Sequence, residues 1–320
     1  MREVDKFAIT NALLHLATAH KNCYVDHNTN HPTFKSKHSH HQSYTTNMTN
    51  DNIKVDYENR TIQLPKLGKV NVHFHRKFEG TIRSATISCS SDNRYFVSLL
   101  INVESKPEKQ EDNNNIIAFD VGIKDYLTDS NGNVISNPNH FKSNEKKLAQ
   151  RQHDLSKKKK GSKNYEKQRI HVARMHKKIA DCRTDFLHQL SYGIVKENQI
   201  IISESLDIQS MVNGQNNSRN TYDASWNRFF RMLQYKAKKF GKTYHQIDQY
   251  FPSSQLCSIC GFQNVKIKDT SIREFDCDGC GQHHDRDFNA SINILNKGLL
   301  ELGITQRYAT GTSGISCSLP

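Results

Sequence analysis

Four cysteines near the C-terminus carry the clearest chemical signal in the sequence. Cys257 and Cys260 form one CxxC pair and Cys277 and Cys280 form a second, with sixteen residues between the pairs. Two such pairs supply the four thiolates of a tetrahedral zinc site, and a glycine follows each pair, where the turn of a zinc knuckle needs a positive φ. Because the protein supplies all four ligands, we expect this zinc to be structural and not catalytic.

Two other interpretations of the cysteines are less favoured. A redox dithiol normally has a single CxxC on a thioredoxin-like helix, whereas this chain has two pairs with matching glycines. The remaining cysteines are scattered singly, at Cys23, Cys89, Cys182 and Cys317. This distribution is typical of a metal site plus ordinary thiols, and it argues against the disulfide framework of a small secreted protein.

Three acidic residues occupy similar positions in the predicted elements. Asp120 ends the apolar segment IIAFD and Glu204 ends the apolar segment QIIISE, both of which predict buried strands, while Asp287 lies where a final helix is predicted to begin. Each acid alone has an ordinary interpretation, as a turn residue or a helix N-cap. Together, on a basic protein, they predict carboxylates around two magnesium or manganese ions that hold the attacking and leaving oxygens of a phosphodiester during hydrolysis.

A strong positive charge accompanies these acids. The formal net charge is +13 and the pI is about 9.3, which is typical of proteins that bind DNA or RNA. Lys124 and Arg286 lie near Asp120 and Asp287 in sequence and could neutralise phosphate charge, although surface salt bridges are the alternative. A helix predicted to begin at Trp226 carries further candidate contacts to nucleic acid, Arg228, Arg231 and Lys236.

The first third of the chain predicts little core of its own. Residues 1–25 have a short helical pattern, and the polar stretch that continues to about residue 60 predicts an exposed loop. Residues 61–110 contain short alternating segments between turn signals, which favour a small antiparallel barrel or sheet, and the polar run 106–115 predicts a domain boundary. The apolar face of the first helix would consist of Phe7, Leu13, Leu14 and Leu16.

The rest of the chain alternates strands with helices, which predicts an α/β domain. After the IIAFD strand, the segment YLTDSNGNVIS predicts a hairpin with a turn at Asn131-Gly132. A long helical region follows over 142–197, with a break near Gly161, and then come the QIIISE strand, the helix from Trp226, a strand KTYHQIDQ and the cysteine segment. The tail after about residue 303 has no clear pattern.

Several classes of protein are excluded by the pattern of apolar residues. No segment approaches the roughly 18 consecutive apolar residues of a membrane span, and the N-terminal residues MREVDKFAIT lack the apolar core of a signal peptide. We therefore expect a cytoplasmic protein with no membrane partner.

Four sequence motifs, in this order, resemble the TnpB or OrfB family of insertion-sequence-associated proteins, which is similar to the ancestors of type V CRISPR effector nucleases. The motifs are AFDVGIK (118–124), ISESL (202–206), CSICG with CDGCG, and HDRDFNASINIL (284–295). The segment KLGKVNVHFHRKFEGTIRSATIS also resembles the later strands of that family's wedge barrel. The resemblance covers most of the chain from about residue 60.

The resemblance implies a fold and a set of catalytic residues. The fold would be α/β, with an RNase H-like (RuvC) domain over 116–303 that carries an inserted zinc ribbon at 251–284. A partial β-barrel (wedge) region at 61–110 would precede it, after a remnant of the helical recognition lobe and a polar loop at 1–60, and 304–320 would be a tail. By motif position Asp120, Glu204 and Asp287 match the three catalytic carboxylates, and Asp285 is a neighbour of the last one.

The resemblance also implies an activity, which is RNA-guided, magnesium- or manganese-dependent cleavage of DNA with a guide RNA from the chain's own transposable element. The element's transposase would be a functional partner. In this family the first catalytic Asp usually comes later than residue 120, so we expect the opening barrel strand and early helices to be missing. Alternatives are a truncated, non-cleaving or repressor-like relative of the same fold, and a plain zinc-ribbon binding module in which the three acids are coincidental.

Overall fold

A computed structural model describes most of the chain, namely residues 4–25, 30–33, 36, 42–103, 114–208, 211, 218–269 and 271–304. Its internal contacts divide the chain into two units. The first unit comprises residues 1–106 and 150–176, and the second comprises residues 107–149 and 177–320. Mixed helices and sheets agree with the predicted α/β class. The predicted tail after 304, most of the predicted boundary 106–115, and parts of the polar stretch 26–41 lie outside the described residues.

The helices and strands of the described residues follow the predicted order. The helices are α1 (Lys6–Val25), α2 (His140–Ser156), α3 (Lys163–Glu197), α4 (Ser218–Ala224), α5 (Trp226–Phe240) and α6 (Arg286–Glu301). The strands are β1 (Gln42–Asn47), β2 (Lys54–Asp56), β3 (Thr61–Leu64), β4 (Gly68–Asn71), β5 (Thr81–Cys89), β6 (Tyr95–Asn102), β7 (Ile116–Val121), β8 (Asp125–Asp129), β9 (Val134–Ser136), β10 (Ile200–Glu204), β11 (Thr243–Ile247), β12 (Glu274–Asp276) and β13 (His283–Asp285).

The first unit contains two antiparallel three-stranded sheets, with strand orders β1-β5-β6 and β2-β3-β4. A small apolar core including Ile53, Ile62 and Ala85 lies among these strands. The prediction of an exposed loop to about residue 60 was wrong for 42–47 and 54–56, which are strands. Their polar composition lacks the apolar alternation from which strands are predicted. Strand β1 instead pairs along its whole length with β5, and it is stabilised by that backbone ladder and by contacts such as Thr45 Oγ1 to Thr86 Oγ1 at 2.9 Å.

Helix α1 forms as predicted but does not bury the predicted apolar face. Leu13, Leu14 and Leu16 are exposed, and the buried residue of the helix is Asn11. The side-chain amide of Asn11 donates to the Thr45 carbonyl at 2.9 Å and to Asn47 Oδ1 at 3.1 Å. This helix is therefore attached to β1 by a polar contact, whereas apolar periodicity alone predicts that the leucines would pack.

The second unit is built on a five-stranded sheet with the order β11-β10-β7-β8-β9. Strands β7, β10 and β11 are parallel to one another, and β8 and β9 continue the sheet antiparallel. Because side chains alternate across a strand, Ile117, Phe119 and Ile201 face the core shared with α3 and α5. Ala118 and Ile202 face the opposite layer, where α6 packs.

The predicted turn and helix break are confirmed. At the β8–β9 turn Gly132 has φ +86°, and the Asp129 carboxylate accepts hydrogen bonds from the backbone N–H groups of Asn131 and Asn133, each at 2.9 Å. Gly161, with φ +83°, lies between α2 and α3. Within the described part of the chain, no helix has both the length and the apolarity that a bilayer crossing requires.

Close packing of α6 on the sheet depends on a glycine near the C-terminal end of the helix. A Cβ added at Gly298 would lie 2.4 Å from Ile202 Cγ2 on β10. Glycine is an unfavourable residue in a helix interior, so its presence here is explained by the short distance between helix and strand. This contact fixes the depth at which α6 lies over β10.

We expect Gly298→Ala to destabilise the protein by about 1–3 kcal/mol, because the new methyl group has no space against Ile202. Gly193→Ala is the matched control, since Gly193 is also within a helix but has no atom within 4 Å of an added Cβ. There the ordinary helix preference for alanine should stabilise the protein by about 0.5–1 kcal/mol. Urea denaturation of both variants measures this, and effects of the same sign would contradict the packing argument.

Candidate catalytic and metal-binding site

Two of the predicted acids lie side by side at one edge of the five-stranded sheet. In the parallel pairing of β7 and β10, Ala118 lies opposite Ile202 and Phe119 lies opposite Ser203, so Asp120 and Glu204 are the next residues along the two strands. Both side chains alternate onto the face covered by α6, and both are partly exposed. The carboxyl ends of adjacent parallel strands are a common location for binding and catalytic groups.

The third acid comes from the start of α6, and helix capping distinguishes it from its neighbour. The Asp285 carboxylate is the N-cap of α6 and accepts a hydrogen bond from Phe288 N at 2.8 Å. Asp287 lies in the first helical turn, partly exposed, near enough to Asp120 to raise the pKa of that carboxyl. The structure therefore brings Asp120, Glu204 and Asp287 together and gives Asp285 a separate structural role.

The proton affinities of Asp120 and Glu204 reflect their burial and the neighbouring carboxylates. Burial, followed by the negative charges of Glu204 and Asp287, raises the pKa of Asp120 well above its ordinary value. Burial also raises the pKa of Glu204, whose side chain is hydrogen-bonded to Asp120. Carboxylate oxygens gathered in this way are the donor type that hard divalent cations prefer.

A basic residue that the sequence interpretation missed faces this cluster. Nη1 of Arg273 lies 3.2 Å from Oδ2 of Asp287 and 3.4 Å from Oδ1, and the Arg273 carbonyl accepts a hydrogen bond from Arg286 N at 2.8 Å. Arg273 precedes β12, between the two cysteine pairs. No sequence spacing predicts an ion pair between an arginine at this position and an acid fourteen residues later, so the Arg273–Asp287 pair becomes visible only in the folded structure.

The five predicted basic contacts divide into two groups. Lys124, Arg228 and Arg231 are exposed. Lys236 is buried, and its ammonium donates to the His188 carbonyl at 2.6 Å and to Ser191 Oγ at 2.8 Å, which fastens α5 to α3.

Arg286 is also buried. Its Nη1 donates to the backbone carbonyls of Asp269 at 3.0 Å and Ile272 at 3.4 Å. Lys236 and Arg286 are therefore bonded inside the protein and are not available to a phosphate. The correction follows from their positions on the inward faces of α5 and α6.

The cysteine segment forms two knuckles with the same hydrogen-bond pattern. In the first, Gly261 N donates to the Cys257 carbonyl at 2.9 Å, and in the second Gly281 N donates to the Cys277 carbonyl at 2.8 Å. Both glycines have positive φ, +76° and +71°, as the sequence predicted. Backbone turns of this kind direct both sulfurs of each pair to one side.

The four sulfurs have the spacing of a metal centre. Their Sγ atoms all lie within 4.8 Å of one another. The Cys257–Cys280 separation is 3.7 Å and the Cys260–Cys277 separation is 3.6 Å. These distances are too long for disulfides. They are close to the sulfur–sulfur distance of about 3.8 Å expected in a tetrahedral site with four Zn–S bonds of about 2.3 Å. The donor set therefore fits zinc.

The shell around the sulfurs is also polar. Nε2 of the buried His284 lies 3.1 Å from Cys257 Sγ, and Gly279 N donates to Cys277 Sγ at 3.4 Å. Asn264 Nδ2 approaches the same sulfur at 3.7 Å. Hydrogen bonds of this kind stabilise thiolates and orient them toward a metal.

Two known protein families match the segments of the chain that carry the three acids and the four cysteines. A family described as "Probable transposase" (OrfB of IS605) matches residues 98–215, which include Asp120 and Glu204. A family described as "Cas12f1-like, TNB domain" matches residues 226–294, which include the four cysteines and Asp287.

Two bacterial relatives match over most of the chain. One is a "Putative RNA-guided DNA endonuclease" of Streptomyces pristinaespiralis, 35% identical over 304 residues, which are 93% of this chain and 73% of the relative. Another, InsQ of Escherichia coli K12, bears the same description and is 30% identical over 275 residues, 81% of this chain and 67% of the relative.

A solved structure shows a weaker likeness. It is a cryo-EM structure of a Cas12f1–sgRNA–target DNA complex, with a TM-score of 0.48 and 22% identity over 68% of this chain. The chain spans 46% of that protein's length.

We expect Asp120→Asn to stabilise the protein in the absence of added divalent cations. Because the folded pKa of Asp120 is raised, its contribution to stability is complete below the unfolded pKa and is lost as the pH rises through the folded pKa. The melting temperature of the native sequence should therefore fall relative to Asp120→Asn as the pH rises above about 4, the ordinary pKa of an aspartate. Asp181→Asn, at an exposed carboxylate on α3, is the control and should show no such difference. Parallel pH profiles for native protein and Asp120→Asn would contradict the crowded-carboxylate interpretation.

Proposed function

Since the chain belongs to the TnpB (OrfB) family of transposon-associated proteins, we propose that it is an RNA-guided, divalent-metal-dependent DNA endonuclease. The observation that supports the proposal most is that Asp120 and Glu204 lie side by side on β7 and β10, with Asp287 close enough for its charge to help raise the pKa of Asp120. The two bacterial relatives of the chain are described as putative RNA-guided DNA endonucleases, and these descriptions support the same activity.

The second unit is an RNase H-like nuclease domain in this proposal. Its support is the strand order, in which a hairpin meander, β7-β8-β9, is extended on the other side of β7 by the parallel strands β10 and β11. The domain corresponds to the predicted range 116–303, of which residues 150–176 group with the first unit by internal contacts, and the zinc ribbon is inserted at 251–284. The antiparallel strands within 61–110 correspond to part of a wedge barrel.

Magnesium or manganese ions would be held by the carboxylates of Asp120, Glu204 and Asp287. When bound, such ions polarise the phosphodiester and lower the pKa of the attacking water. The chain's own residues prepare this site. The carboxylates of Asp120, Glu204 and Asp287 would hold the ions, and Arg273, whose Nη1 lies 3.2 Å from Asp287 Oδ2, would supply a positive charge near them.

Nucleic acid reaches the site along a basic surface in this proposal. Exposed Lys124, Arg228 and Arg231 contribute to it, within a chain of net charge +13. Base pairing with a guide RNA from the chain's own element supplies sequence recognition, while the protein contacts backbones. The element's transposase is a functional partner. A non-cleaving relative is the second candidate, and the intact carboxylate cluster favours the nuclease.

Cleavage tests the proposal with a closely matched pair of variants. The native protein, purified with RNA expressed from its own locus, should cut DNA that carries a matching target when magnesium is present. Asp120→Ala and Asp287→Asn should each lower the rate by at least about 100-fold while leaving DNA binding, because they remove metal ligands worth several kcal/mol in the transition state. Asp285→Asn is the control, because asparagine is as good an N-cap as aspartate and Asp285 is not among the proposed metal ligands.

Retention of cutting by Asp120→Ala would refute the catalytic assignment. Equal loss in Asp285→Asn and Asp287→Asn would show instead that the start of α6 tolerates no change. Loss confined to Asp287→Asn is the outcome that distinguishes a ligand from a cap.

The cysteine cluster holds a structural zinc in this proposal. We expect about one zinc per chain by elemental analysis, and we expect Cys257→Ser to lower both zinc content and melting temperature, because zinc binding contributes to folding. Cys182→Ser is the control, since Cys182 is exposed on α3, outside the cluster. Absence of zinc from the native protein would rule out this site.

A further inference from the structure

The first zinc knuckle is bonded directly to the helix that carries Asp287. One face of α6 is apolar and packs on the sheet, through residues such as Ile294 and Leu299. Another face carries two buried asparagines one turn apart, Asn289 and Asn293, with relative exposures of 0% and 7%. Buried amides are costly unless their hydrogen bonds are satisfied, so these side chains need specific partners.

Those partners are backbone groups on both sides of a zinc ligand. Asn289 Oδ1 accepts a hydrogen bond from Ser258 N at 2.9 Å, and Asn289 Nδ2 donates to the Leu256 carbonyl at 2.7 Å. Cys257 lies between these two residues. The single amide of Asn289 therefore brackets the position of the Cys257 thiol.

A second asparagine extends this attachment. Asn293 Nδ2 donates to the Leu256 carbonyl at 2.7 Å and to the Ser253 carbonyl at 2.8 Å. The knuckle is thus held along two turns of α6. Loss of one bond would leave the other in place.

A third connection runs through the strand that precedes the helix. The imidazole of His284 lies 3.1 Å from Cys257 Sγ, and His284 is followed at once by the N-cap Asp285. Asp287 is three residues after His284 and two before Asn289. The catalytic carboxylate is therefore flanked in sequence by two residues that contact the first knuckle.

We propose that the zinc ribbon and the carboxylate site are thermodynamically coupled, with Asn289 as the positioning residue that transmits zinc occupancy to Asp287. The inference rests on the proposed divalent site and adds to it a dependence on zinc. When zinc leaves, the knuckle loses its fixed geometry, and the buried Asn289 amide loses the Leu256 and Ser258 partners that hold the start of α6. Asp287 then no longer has a fixed position relative to Asp120 and Glu204.

Linkage gives the coupling a measurable form. If zinc raises the affinity of the carboxylates for manganese, manganese must raise the affinity of the cysteines for zinc by the same factor. Supporting residues around a metal commonly change its affinity by about 10–100-fold, so we expect zinc to strengthen manganese binding by about 10-fold. Replacement of Asn289 should reduce that factor toward one.

The experiment measures manganese affinity by the loss of the free-ion EPR signal, with the full chain in zinc-loaded and zinc-depleted forms. Asp120→Asn identifies the part of the binding that belongs to the carboxylate site. Asn289→Ala is the test variant, and Asn293→Ala, one turn farther from Asp287, is a milder second variant. Leu299→Ala is the matched control, since it removes a buried contact of α6 on the sheet side and leaves the knuckle bonds intact. Cobalt loaded in place of zinc reports through its thiolate absorption whether each variant retains the four-cysteine site.

The expected result is a zinc-dependent increase of about 10-fold in the native protein and in Leu299→Ala, with little or none in Asn289→Ala and an intermediate value in Asn293→Ala. Asp120-dependent manganese binding that is equal with and without zinc would overturn the coupling while the proposed catalytic site stands. An undiminished zinc effect in Asn289→Ala would overturn the role of Asn289. Manganese binding that does not depend on Asp120 would remove the proposed catalytic site, and the coupling with it.

Discussion

The gathering of partly buried carboxylates at one edge of the five-stranded sheet is the constraint on which the rest of this structure depends. Asp120 and Glu204 are neighbours on adjacent parallel strands, Asp287 lies at the start of α6, and burial first, then the charges of Glu204 and Asp287, raise the pKa of Asp120. Ionisation of these carboxylates opposes folding, so packing elsewhere in the fold must hold them in place. Two apolar layers do this from opposite faces of the same sheet, one formed with α3 and α5 and the other with α6.

Helix α6 shows how closely the position of the site is controlled. Gly298 lets the helix lie against Ile202 on β10, two residues before Glu204. At the other end of α6, Asp285 fixes the first turn by capping it, and Arg273 balances part of the charge of Asp287. A short distance at one end and a defined start at the other leave Asp287 little freedom. Each of these contacts restricts the position of the Asp287 carboxylate in a different way.

Much of this arrangement was predictable from sequence because it follows from local rules. Apolar segments that end in an acid predicted β7 and β10, and the parallel pairing of those strands then brings Asp120 and Glu204 together. Paired CxxC motifs with glycines predicted the knuckles for the same local reason. Lys236 and Arg286 were predicted as surface contacts but are buried, because residue type reveals charge and does not reveal which face of a helix turns inward.

Other features depended on contacts between distant segments and had no local signal. The attachment of α1 by Asn11, the strand β1 and the pair formed by Arg273 and Asp287 all join residues that sequence periodicity treats independently. Asn289 is the strongest case. Within the helical pattern it looks like an ordinary polar residue, yet its buried amide bonds to the backbone on both sides of Cys257 and so joins the first knuckle to the helix that carries Asp287. A zinc bound by the cysteines that precede α6 would therefore stabilise the turn of helix that carries Asp287, which gives a physical reason for the proposed structural metal site at this point in the chain.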